Sequence, residues 1–392
     1  MPELDGVRGF AIAIVMALHF ICSQIGEPQS RLEYLALRIT GYGLWGVDLF
    51  FVLSGFLITG ILWDSRGAPG YFKTFYMRRT LRIFPLYYAT LLVLLVLLPA
   101  GMLARFAPEA LALRDQQWWL WTYLANVHVA IHGGFTLPYV SHFWTLAVEE
   151  HFYLVWPFVV GLLPRSVALK LSIVASAVAL GLRIAIFYLG PNPYYAHVLT
   201  PCRLDALCIG AGFALAVRGP GGMAAFAPRA RAGVLLAGAG VLVTSVWHAL
   251  RPHTLPVEAV RETFLALLFG CAVVLAAWVE GPRLLKRALR ATWLRFLGKY
   301  SYGLYVFHGI LAYGFGAHRT LPFFIELAGG SHFGGVLLQA VVGTAVSIAI
   351  AVASYELFEV RFLKLKDRFS TASRPATAPS FEPSQPARSR SE

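Results

Sequence analysis

Long apolar runs separated by short polar or basic stretches organise this chain from end to end. Windows of about 20 residues, the length that crosses a hydrocarbon core of about 30 Å as a helix, fall at 7–23, 44–63, 80–98, 143–163, 168–189, 204–218, 232–249, 262–279, 296–316 and 334–357. Inside lipid every backbone amide has to find its partner within the protein, so such runs predict helices. The pattern predicts an all-α polytopic membrane protein with about ten transmembrane helices. An even number of crossings puts both ends on one side.

Charge decides which side. Of the 33 Lys and Arg residues, 22 lie in the connections 64–82, 164–170, 218–231 and 281–295 and in the stretch 361–392, against 8 in the alternate connections. Positive residues are retained on the cytoplasmic side, so the chain is expected N-in and C-in. The net charge of +13 would suggest nucleic acid in a soluble protein. Here 58% hydrophobic and only 14% charged residues exclude a soluble domain, and membrane orientation accounts for the basic excess, so no nucleic acid partner is expected. The first apolar run is read as retained: it is long, lacks a small-x-small cleavage site and starts beside Asp5 rather than a basic cluster. Residues 366–392, which include STASRPATAPSFEPSQPARSRSE from Ser370, are too rich in Ser, Pro and Ala to form a core and are expected to be a disordered cytoplasmic tail. No internal repeat or second folded domain is evident. Cys22, Cys202, Cys208 and Cys271 lack the paired spacing of a zinc site, so no metal is expected. We read them as unpaired, a Cys22–Cys202 disulfide being the alternative.

Ionisable side chains inside apolar runs are costly, roughly 2.5–3.5 kcal/mol for Arg, and mark candidate functional residues. In LDGVRGFAIAIVMALHF, Arg8 and His19 are eleven residues apart, which on a regular helix puts them within about 20° of one face and about 16 Å apart along it. A guanidinium near the cytoplasmic entrance suits phosphate, whereas an imidazole deeper in the membrane can move protons. Taken singly, Arg8 could instead snorkel and His19 could be a hydrogen-bonded core residue. In FYMRRTLRIFPLYY, Arg79 and Arg82 share a helix face beside Arg78, as a second cationic patch or a positive-inside anchor. Asp48 and the Glu149–Glu150 pair lie about 6 Å and 9 Å from the outer ends of their spans, a depth similar to that of His19. A carboxylate at that depth can orient and charge-stabilise an imidazole. The structural alternative for these carboxylates is an ion pair with Arg183 or Arg203, with Asp205 close by. Ser54 in VLSGF lies within a span and is read as a packing partner of Gly55.

These blocks resemble one family. GVRGFAIAIVMALHF, GVDLFFVLSGFLITGIL, RRTLRIFPLYY, FWTLAVEEHFYLVWP, PCRLDALCIGAG and KYSYGLYVFH together look like acyltransferase family 3, the multispan enzymes that O-acylate bacterial surface glycans and other extracytoplasmic acceptors. The resemblance covers residues 3–365, so 1–365 is expected to be one membrane-embedded acyltransferase domain in the bacterial inner membrane. It implies transfer of an acyl group, acetyl being the commonest in the family, from cytoplasmic acyl-CoA to an outer hydroxyl of a polysaccharide or lipid-linked glycan. No permanently bound cofactor is implied. His19 and Glu149 are implied as catalytic, Arg8, Arg79 and Arg82 as acyl-CoA-binding, and Asp48, Arg203, Asp205 and His308 as supporting or acceptor-side residues. His19 could act as general base or as a nucleophile forming an acyl-imidazole. His151 stands where the family usually has Gln, and is read as an unspecialised replacement with a proton relay as the alternative. The esterase-like domain fused to some members is not present in this sequence. Acceptor choice would then fall to the membrane domain and to the long connection 99–142, whose Trp118, Trp119, Trp121, Tyr123 and Tyr139 suit sugar rings or an interfacial belt. A proton- or solute-coupled transporter is the competing class, since it too needs intramembrane Arg, His and Glu.

Overall fold

The computed structural model describes residues 1–98, 108–190, 192–251 and 257–369. Among these residues there is no β-strand. Each predicted run coincides with a helix: α1 Pro2–Ala17, α2 Trp45–Asp64, α3 Tyr71–Leu91, α4 Trp144–Leu162, α5 Arg165–Leu189, α6 Thr200–Ala216, α7 Gly222–Leu250, α8 Val257–Ala277, α9 Ser301–Gly314 and α10 His332–Ser354. The fold is that of an all-helical polytopic membrane protein. Eight helical stretches are long and apolar enough to cross a membrane, and α4 and α9 are not among them. α4 is made less apolar by Glu149, Glu150 and His151, and α9, with 14 residues, is too short. The expected tail from Ser370 onward and residues 99–107 of the long connection lie outside the described residues.

Small residues bring α2 and α6 together. A Cβ on Gly55 would collide with the backbone of Leu207, and one on Gly210 with that of Val52, so the two helices touch main chain to main chain. Around that contact the ionisable residues pair. Arg183 of α5 bonds Asp205 at 2.6 Å, and Arg203 of α6 bonds Asp48 of α2 and, at 2.5 Å, Glu262 of α8. Arg183, Arg203, Asp48 and Asp205 are all buried. The structural alternative for Asp48 is therefore realised, and Asp205 and Arg203 belong to the same network, which ties four helices together. All four cysteines are free.

Four π-turns interrupt regular winding among the described residues, the later two at Gly316–Thr320 and Tyr355–Glu359. α1 passes into a π-turn at Leu18–Cys22, and α3 into another at Leu92–Leu97. A π-turn adds a residue to one turn and rotates the side chains beyond it about the helix axis. His19 sits inside the first.

Candidate active site

Arg8, Arg79, Arg82 and Glu149 converge on one cavity of about 130 Å³ between α1, α2, α3, α4 and α9. α4 contributes Thr145, Glu149 and Tyr153, spaced four residues apart so that a single stripe of the helix faces inward. α3 contributes Arg79 and Arg82 on adjacent turns, and α2 contributes Ser54. The hydroxyls of Ser54 and Tyr153 hydrogen-bond each other, and both line the cavity beside Glu149. The Arg79 guanidinium lies over the Tyr153 ring at 5.5 Å. Arg8 Nη1 holds Asp5 at 2.7 Å while remaining partly accessible at 28%.

Three guanidinium groups thus face one carboxylate. Neither Arg79 nor Arg82 is closed by an ion pair among the described residues, so their donor forks are open to an incoming anion. This arrangement differs from the sequence expectation in two ways. Ser54 is a lining residue with a hydroxyl in use, and only Gly55 makes the close helix contact. Glu149 lines the cavity with Ser54 and Tyr153 and shares no hydrogen bond with His19 among the described residues.

His19 lies in a neighbouring cluster. Its Nδ1 is 2.9 Å from the carbonyl oxygen of Val15, and its ring meets that of His308 edge to face at 4.9 Å. His308 in turn meets His142 at 5.2 Å, and its Nδ1 lies 2.8 Å from the carbonyl of Tyr305. His308 and His142 are buried, and His308 Nε2 finds no hydrogen-bond partner. Tyr305 joins the two groups. Its side chain lines the arginine cavity, its hydroxyl bonds Thr145 Oγ1 at 2.5 Å and donates to the carbonyl of His142, and its ring lies 5.7 Å from that of His308.

The sequence expectation that Arg8 and His19 share one wall assumes a regular helix. The π-turn starts between them, and Arg8 lines the cavity whereas His19 packs against His308 on the far side of Tyr305. Sequence spacing alone does not mark Ser54, His142, Tyr153 and Tyr305 as site residues. Tyr153 is within reach of such a reading, because it follows Glu149 by four residues on the same face. Ser54 and His142 carry no such local signal.

The remaining candidates lie elsewhere. Asp48 and Arg203 line a second cavity with Trp45, Trp144 and Glu262, and Asp205 bonds Arg183 behind it. His151 bonds Thr200 Oγ1 at 2.7 Å and so links α4 to the start of α6. The aromatic residues of the long connection mostly pack on the protein itself: Tyr123 stacks on Tyr87 at 4.3 Å and Trp121 on Tyr88 at 5.7 Å, leaving Trp118 exposed. Among the described residues no group of three or more His, Cys, Asp or Glu side chains is placed to hold a metal ion.

The family model described as an acyltransferase domain matches residues 1–356. Among curated proteins, the peptidoglycan O-acetyltransferase OatA of Listeria monocytogenes is 28% identical over 327 residues, which are 79% of this chain and 49% of that protein. The O-acetyltransferase OatA of Staphylococcus aureus is 30% identical over 232 residues, 54% of this chain and 34% of that protein. The putative peptidoglycan O-acetyltransferase YrhL of Bacillus subtilis is 30% identical over 227 residues, 55% of this chain and 33% of that protein. The matched part of this chain thus spans no more than about half the length of these relatives. No solved structure matches the chain. Because the matched residues 1–356 take in the arginine cavity, the histidine cluster and the helices that hold both, the chain belongs to the acyltransferase family.

Proposed function

We propose that this protein transfers an acetyl group from cytoplasmic acetyl-CoA to a hydroxyl of an extracytoplasmic glycan, of which peptidoglycan is the class named for its relatives. The observation that carries this reading is the cavity in which Arg8, Arg79 and Arg82 face Glu149 with the forks of Arg79 and Arg82 open. A donor that is polyanionic at one end and apolar along its arm fits such a place. Arginine engages phosphate oxygens through two parallel N–H bonds. The 22-to-8 charge asymmetry supports a cytoplasmic position for these arginines and residence in the inner membrane.

In this reading His19 is the general base. A carbonyl only accepts hydrogen bonds, so the contact with Val15 requires the proton on His19 Nδ1 and leaves the Nε2 lone pair free. Nε2 takes the proton of the acceptor hydroxyl as its oxygen attacks the thioester carbonyl. The C–S bond then breaks, the ester forms, and the His19 imidazolium returns its proton to the leaving thiolate of coenzyme A. His308 and His142 hold the ring, and Glu149 with Ser54 and Tyr153 shapes the donor cavity. Membership of the acyltransferase family favours this enzyme reading over a coupled transporter.

The test is transfer of radiolabelled acetyl from acetyl-CoA to peptidoglycan fragments by purified protein in lipid nanodiscs. Transfer that is lost in His19→Ala, with unchanged acetyl-CoA binding, supports the reading. An acetylated His19 found by mass spectrometry after acid quench would replace the general-base step with a covalent one. Absence of acetyl transfer by protein that binds no acetyl-CoA would overturn the assignment.

A further inference from the structure

The second cavity, about 120 Å³, is lined by the ends of α2, α4, α6 and α8 that the charge pattern assigns to the outer side. Trp45 and Trp144 supply indole faces, and Asp48, Glu258 and Glu262 stand against Arg203 and Arg261. Carboxylates outnumber guanidinium groups here, the reverse of the donor cavity, so an anion is disfavoured.

The polar groups are incompletely engaged. Arg203 is 2% exposed, yet its Nε is without a hydrogen-bond partner although both terminal nitrogens are bonded. Arg261 stands 3.7 Å from Glu258, and His197 stands 4.0 Å from Glu262. These separations are too long for hydrogen bonds and invite a bridging group. A hydroxyl can donate to a carboxylate and accept from a guanidinium at once. An array of hydroxyls on a ring with an apolar face matches this lining, in which a few placed polar groups border aromatic walls.

Position links this cavity to the proposed reaction. Val47 lines both cavities, and Trp144 meets Phe51, a lining residue of the donor cavity, edge to face at 6.2 Å. The partition between them is therefore one layer of side chains.

We infer that this outer cavity is the saccharide subsite, which takes a neutral sugar unit of the acceptor between Trp45, Trp144 and the Arg261–Glu258 and His197–Glu262 pairs. The inference rests on the proposed transfer to a glycan and relocates acceptor recognition from the connection 99–142 to the ends of α2, α4 and α8.

The experiment uses the full chain in nanodiscs with an N-acetylglucosamine tetramer as probe. Tetramer binding is followed by calorimetry without donor, and acetyl transfer is followed with acetyl-CoA. Arg261→Gln and Trp45→Leu, both at the accessible rim rather than in the buried ion network, should each weaken tetramer binding and raise its KM about tenfold, the loss of a charge-assisted hydrogen bond or an aromatic contact. The KM for acetyl-CoA should stay within twofold. Tetramer affinity unchanged in both variants, or no tetramer binding by the wild-type chain, overturns the subsite. Tetramer binding that the variants weaken, in protein that transfers no acetyl group, supports the subsite while overturning the reaction.

Discussion

His19 Nδ1 lies 2.9 Å from the carbonyl oxygen of Val15, four residues back on the same helix. This contact fixes one proton on the ring and presents the other nitrogen as a base. The orienting partner is therefore main chain, and Glu149 shares no hydrogen bond with His19 among the described residues.

His19→Ala should lower turnover by about 10²–10⁴-fold, the usual contribution of a general base. Donor affinity should hold, because His19 is outside the arginine cavity. Turnover and acetyl-CoA binding at matched protein abundance check both halves, and near-normal turnover would remove His19 from the chemistry.

Glu149→Gln should act through the donor cavity. It removes the one carboxylate charge in a cavity lined by Arg8, Arg79 and Arg82, so the KM for acetyl-CoA should move. Since Glu149 and His19 share no hydrogen bond among the described residues, their losses should combine close to multiplicatively in the double variant. A double variant no worse than His19→Ala alone would show that the two act as one unit.

Arg79→Lys and Arg82→Lys keep the charge and lose the planar fork. Each should raise the acetyl-CoA KM about tenfold, equivalent to about 1.4 kcal/mol, with little effect on kcat. A lysine variant with wild-type KM would mark that arginine as a membrane anchor. Kinetics across a donor titration separate these outcomes.

Arg183→Met should destabilise the fold by about 3–5 kcal/mol, because Asp205 would be left buried and unpaired. Adding Asp205→Leu removes the orphaned charge and should recover most of the loss. Thermal unfolding of the purified variants reads the difference, and equal Tm values for Arg183→Met and wild type would show that the pair contributes nothing net.

Gly55→Val should sharply reduce folded protein, since its side chain would meet the main chain of Leu207. The neighbouring Ser54→Ala should instead fold normally and alter the donor cavity. Fluorescence-detected size-exclusion profiles distinguish a packing residue from a lining one.

The all-helical membrane architecture, the order of the helices and the residues that carry charge into the membrane were legible in the sequence, because hydrophobic length and local spacing act along one segment at a time. Arg79 with Arg82 is such a local signal. The tertiary structure decided which of these groups meet. Regular helical geometry puts Arg8 and His19 on one face, and the structure adds that Arg8 lines the arginine cavity while the His19 ring meets that of His308. Asp48 and Glu149 looked alike in depth, yet Asp48 pairs with Arg203 across the α2–α6 contact while Glu149 lines the arginine cavity. Burial cost makes every intramembrane charge seek a partner, but the partner's identity depends on which helices pack closely. That is set by contacts between residues far apart in the chain, such as Gly55 with Leu207, for which sequence spacing holds no signal.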